Sequence, residues 1–163
     1  QRCGMSRWWD CLLKVWDMQC EAGVPFSAIQ RNICLTALRN SVRGEFGFGD
    51  VPERRQQLLR LGKKAWHTVD CPDAAEDFNI SLNAALMLCA AAKDSEALEW
   101  AEELWAQASE RDVPLLPLQH GAFVQVLAAC GLHDRADAML AGMCSRAEQG
   151  ADGAWDPGPA LLG

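Results

Sequence analysis

The chain has 163 residues, 50% apolar and 23% charged, a globular composition that excludes a disordered polymer and suits one domain with a sizeable core. Its net charge of −7 hides a division: residues 1–71 carry eleven basic and seven acidic groups, residues 72–163 four and fifteen. The acidic half would repel a polyanion, and the split favours an oriented dock on a partner with complementary patches.

In chain order, Trp8 to Cys20 is an amphipathic segment with Trp9, Leu12, Leu13, Trp16 and Cys20 on one stripe at helical spacing. Gly23-Val24-Pro25 stops it, and Ser27 is placed to cap a second helix from Ala28 to about Asn40. The spacing assigns Ile29, Ile33, Ala37 and Leu38 to the buried side of that helix. A loop insertion occupies about 43–52; its Gly-Glu-Phe-Gly-Phe-Gly core lacks the lysine and hydroxyl of a phosphate-binding loop. Glu53 to Val69 is helical again, with Leu58, Leu61, Ala65 and Val69 on one side and Arg60, Lys63, Lys64 and His67 elsewhere.

Asp70 to Asn79 breaks the chain at Pro72, after which Ile80 to Ala92 is uncharged and must be sandwiched by other elements. Ser95 is the expected cap of the next helix, which runs to about Glu110 with Leu98, Ala101, Leu104, Trp105 and Ala108 inward and Glu96, Glu99, Glu102 and Glu103 in water. A last hairpin, Leu118 to Cys130 and Asp134 to Glu148, precedes a Gly-, Pro- and Ala-rich tail at 150–163, expected to be irregular. The run from Val113 to His133 carries no charge, but Pro114, Pro117, Gln119, His120 and Gln125 make a turn and one buried helix the better reading than a membrane span. The chain starts at Gln1 without an apolar signal core, as a processed, partial or trimmed chain would.

Chemistry is sparse. Cys34, Cys89 and Cys130 sit in apolar helical runs, so free thiols are expected, and Cys130, His133 and Cys144 lack zinc-ligand spacing. No metal, cofactor or catalytic residue is assigned: His67, His120 and His133 fall in separate elements, and Asp134 beside His133 reads as a helix cap.

Two segments repeat one pattern. Asn83 to Met87 leads through Cys89, Asp94 and Ala97 to Trp105, and Phe123 to Leu127 leads through Cys130, Asp134 and Ala136 to Met143. Such self-similarity marks helical hairpins that bury their apolar faces by stacking. The pattern resembles the pentatricopeptide repeat (PPR) family in its early Asn (Asn32, Asn83), its small residues and Cys late in the first helix (Cys34 and Ala37, Cys89 and Ala90, Ala128 to Gly131), and its Val-Pro loops at Val24-Pro25 and Val113-Pro114. The resemblance covers roughly residues 8 to 145, with Trp9 to Met18 as the second helix of a truncated first repeat. It implies an all-α, short right-handed α-solenoid of about three to four antiparallel hairpins, with residues 1–149 as the repeat domain. An Ala97 to Ala136 spacing of 39 and a longer Asn32 to Asn83 interval mark the array as degenerate.

In that family RNA is read on the surface lined by first helices. Here the second and third first-helices hold no Lys or Arg, and Ala84 and Phe123 stand near where base-reading polar side chains are expected. The expectation is therefore a noncatalytic scaffold, an accessory subunit that binds protein partners in a larger chloroplast or mitochondrial assembly. Trp8, Trp9 and Trp155 are its candidate anchors, while Trp16, Trp66, Trp100 and Trp105 are read as packing residues. The alternative is an RNA-binding PPR protein of organellar RNA processing or translation. Its candidate contacts are Arg31, Arg39, Arg43, Arg54, Arg55, Arg60, Lys63 and Lys64.

Overall fold

The computed structural model describes residues 3–42, 52–68, 75–111 and 114–148, and these are all-helical. The helices are α1 (Cys3–Glu21), α2 (Ala28–Val42), α3 (Pro52–His67), α4 (Ala75–Ala92), α5 (Ser95–Glu110), α6 (Pro117–Ala129) and α7 (His133–Glu148). The loop insertion at 43–51, the 150–163 tail with Trp155, and the side chains of Trp8, Trp9 and Arg54 lie outside the described part.

Helix ends follow local chemistry. Gly23 adopts a left-handed φ of 64°, and its N–H donates to the Cys20 carbonyl (3.2 Å) while that of Val24 donates to Gln19 (3.1 Å), closing α1. Ser27 and Gln30 form a reciprocal cap on α2: the Gln30 N–H donates to Ser27 Oγ at 3.2 Å and the Ser27 N–H to Gln30 Oε1 at 3.0 Å. At α5 the cap is Asp94, not Ser95: its Oδ1 accepts from the Ala97 N–H at 2.7 Å. The carboxylate one residue earlier wins because it places charge on the N-terminal dipole. Gly131, with φ 82°, turns α6 into α7.

Two further expectations are corrected. α4 begins at Ala75 rather than Ile80, because Glu76 and Asp77 suit a first helical turn and Phe78 buries its ring. In α2, Ala37 and Leu38 are buried as expected, but Ile29 and Ile33 are exposed. The inward stripe is Arg31, Cys34, Leu35, Leu38 and Ser41, a second helical phase that the charge of Arg31 disguised.

α4 occupies the middle. It packs along α2 on one side and α6 on the other, and α3 and α5 also contact it. Sequential helices pair as well: α2 with α3, α4 with α5, and α6 with α7, while α1 rests chiefly on α3. The core gathers Leu35, Leu38, Leu59, Leu82, Leu86, Leu88, Trp100 and Leu104, all buried. Trp16, Trp66 and Trp105 join them as packing residues. No helix among the described residues is long and apolar enough to cross a membrane; the described part of the uncharged run, 114–133, is divided between a loop, α6, the Gly131 turn and the first residue of α7.

α3 approaches α4 closely at Gly62, where an added Cβ would stand 2.6 Å from Leu88 Cδ2 and 3.4 Å from Trp100 Cη2. Gly62→Val should therefore destabilise by roughly 1–3 kcal/mol through overpacking. Leu86→Ala, at a position with no exposure, should cost roughly 2–5 kcal/mol. Urea unfolding followed by circular dichroism measures both, and a midpoint unchanged from wild type would refute the packing at that site.

Candidate protein-binding surface

Three helices line one surface, and buried polar side chains fix how they sit. Between α2 and α4, Arg31 Nε and Nη2 both donate to Ser81 Oγ (2.9 and 2.6 Å), and the Ser81 hydroxyl donates to Asn32 Oδ1. The Arg31 guanidinium also lies 4.8 Å from the centroid of the Trp66 ring, and the residue is only 3% exposed. Between α4 and α6, Gln119 Nε2 donates to the Asn79 carbonyl (3.0 Å) and Asn79 Nδ2 to the Pro114 carbonyl (3.2 Å).

Asn79 thus points to α6 and Ser81 to α2, some 200° apart around α4 at about 100° per residue. Ile80, between them, faces away from both neighbours, while Leu82 opposite is fully buried. The geometry recurs in α6, where Leu118 precedes Gln119 as Ile80 precedes Ser81. The result is an apolar row across three adjacent helices: Ile29 (67% exposed) and Ile33 (56%) on α2, Ile80 (48%) on α4 and Leu118 (63%) on α6. All three isoleucines of the chain are on this row. Farther along α4, Asn83 and Met87 are half-buried on the same stripe, and Gln125 is exposed on α6. No charged side chain falls between Phe78 and Ala92, or anywhere in α6.

Sequence reasoning assigned two of these isoleucines to the core. The signal that could have placed them was the competing stripe Arg31, Leu35, Leu38, which becomes the inward phase once an arginine is allowed inside. Ala84 and Phe123 are buried, Phe123 stacked on Trp105 with centroids 4.5 Å apart.

Among the described residues the candidate RNA contacts do not come together as one cationic track. Arg31 is internal, as described. Arg39 is half-buried and donates to Asn40 Oδ1 (3.0 Å), and Arg55, also half-buried, reaches the Ala92 carbonyl (3.4 Å). Lys63 pairs with Glu96 at 3.2 Å, and Lys64 with Asp17 at 2.9 Å and Glu21 at 3.9 Å. The hydrogen bond to Asp17 raises the Lys64 ammonium above its ordinary value. Arg60 is exposed, Arg43 lies outside the described residues, and so does the Arg54 side chain.

His67 and His133 are exposed on α3 and α7, whereas His120 is buried, its Nδ1 3.0 Å from the Leu116 carbonyl and its ring edge-on to Trp105. Among the described residues no group of three His, Cys, Asp or Glu could hold a metal ion. No family model matches the chain, and no curated protein or solved structure matches it.

The thiols of Cys34 and Cys89 are buried in the core, and burial pushes both up from the ordinary 9.0. In the folded state they keep their protons while the unfolded chain ionises, so their effect on stability is nil below pH about 9 and increasingly unfavourable above it. Unfolding midpoints should fall as pH rises from about 8 to 10, and Cys34→Ala with Cys89→Ala should flatten that fall. Alkylation should modify exposed Cys11 and Cys144 in the native protein and Cys34 and Cys89 only on unfolding. Native-state labelling of Cys34 or Cys89 at the rate of Cys11 would contradict the burial.

Proposed function

We propose that the protein is a noncatalytic scaffold, a degenerate PPR-like right-handed α-solenoid of about three to four hairpins that binds protein partners as an accessory subunit of a larger organellar assembly. The observation that carries this reading is the exposed row Ile29, Ile33, Ile80 and Leu118, apolar and without cations. Contiguous exposed apolar residues rimmed by polar ones suit a protein contact, whereas an RNA track needs several cations in a line. The order of packing supports the solenoid, since α2, α4 and α6 lie side by side and each is paired with the helix that follows it. In that arrangement α1 is the second helix of an incomplete first hairpin. The chloroplast or mitochondrial setting rests on the resemblance to the PPR family.

The RNA reading is weaker because five of its candidate cations, Arg31, Arg39, Arg55, Lys63 and Lys64, already bond within the fold. The buried positions of Ala84 and Phe123 also leave no base-reading side chain there.

The test is a pull-down of the native protein from organelle lysate with and without ribonuclease, repeated with Ile29→Asp, Ile33→Asp and Ile80→Asp combined. Because all three side chains are exposed, helicity should be retained, and protein partners should survive ribonuclease with wild type and fall at least about tenfold with the variant. A single enriched transcript, with protein partners lost on ribonuclease treatment, would overturn the scaffold reading in favour of RNA binding.

A further inference from the structure

At the end of the molecule formed by α1 lies a second surface of different chemistry. α1 and α3 enclose a groove of about 400 Å³ with Leu13, Leu58 and Leu61 along it, a volume within the range of cavities that hold ligands or inserted side chains. One end is closed by charge: Asp17 of α1 takes Lys64 of α3 at 2.9 Å. The remaining cations of the groove are Lys14 on α1 and Arg60 on α3, both exposed, and neither forms an ion pair among the described residues. Next to Lys14, α1 presents Met18 (67% exposed), one turn along on the same stripe. An apolar floor, an apolar shoulder and, on each helix, a cation with no ion-pair partner among the described residues ask for an occupant with apolar side chains flanked by carboxylates.

Resting on the scaffold reading above, we infer that the α1–α3 groove is a docking site for an acidic amphipathic helix of a protein partner. Its apolar residues insert toward Leu13, Leu58 and Leu61, and its carboxylates meet Lys14 and Arg60. Charge complementarity selects this occupant. Two cations match the flank of one helix but are too few to neutralise a run of phosphates. The occupant's helical form fits the site because α3 lines it with a row at helical spacing, Gln57, Arg60, Leu61 and Lys64, for another helix to pack against.

The experiment uses the full chain and a fluorescent synthetic helix with leucines on one face and glutamates on the other, read by anisotropy. A lysine-for-glutamate version of that helix and an oligouridylate serve as competing probes. The acidic helix should bind more weakly as salt rises. Lys14→Glu with Arg60→Glu should weaken it at least about tenfold, and the same variant should gain affinity for the lysine version. Both substitutions are at exposed positions, and circular dichroism confirms the fold of the variant. Failure of the acidic helix to bind, binding indifferent to the charge reversal, or oligouridylate binding abolished by that reversal would each overturn the inference. The two readings fail separately. If the isoleucine variant still loses its partners while the groove takes no acidic helix, the groove inference falls and the scaffold stands. If the acidic helix binds while lysate partners depend on RNA, the scaffold reading falls instead.

Discussion

Everything in this fold depends on covering α4 from all but one side. From Phe78 to Ala92 it carries no charge, and Leu82, Ala85, Leu86, Leu88 and Cys89 have no exposure at all. A helix so apolar around its circumference has no stable solution at a surface. It therefore draws α2 and α6 to its flanks and α3 and α5 to its inner face. Gly62 shows how tight that closure is, since the backbone of α3 comes near enough to Leu88 that a side chain has no room. What α4 leaves uncovered is the narrow stripe of Ile80, Asn83 and Met87, and that stripe aligns with its counterparts on α2 and α6.

The helices are held to one another by two kinds of polar contact, and each kind suits its solvent exposure. Where α2, α4 and α6 meet, the ties are buried: Arg31 and Asn32 on Ser81, and Gln119 on the Asn79 carbonyl. Buried polar groups must be satisfied or they cost about 1–3 kcal/mol each, so these contacts fix the register of the helices rather than merely joining them. Along α1, α3, α5 and α7 the ties among the described residues are half-buried to exposed ion pairs: Asp17 and Glu21 with Lys64, Lys63 with Glu96, and Glu102 with Arg135. Pairs of that kind contribute about 0–1 kcal/mol and weaken with salt. They orient the helices, and they also consume cations that would otherwise be free for a nucleic acid.

Much of this was legible in the chain. The all-helical class followed from periodicity, the sandwiched central helix from its lack of charge, and the inward tryptophans from their amphipathic stripes, because each depends on residues within a few turns of one another. The misreadings were local ambiguities resolved by distant residues. Ile29 and Ile33 form as good a helical stripe as Leu35 and Leu38, and only the arrival of Ser81 and Trp66 makes a home for Arg31 inside. The cap of α5 moved by one residue because Asp94 and Ser95 are both competent caps and the carboxylate adds a favourable charge at the helix N-terminus.

The sequence by itself determined the helical class, the approximate helix order and the asymmetry of charge, since composition and spacing act along the chain and need no partner element. Only the tertiary structure decided which face of each helix is free. An amphipathic stripe states that one side of a helix is buried, but the choice between two competing stripes is made by the neighbour that packs against it. For this protein that choice turned the three isoleucines outward, drew Arg31 inward and left Lys14 and Arg60 on the lining of a groove that also holds Leu13, Leu58 and Leu61.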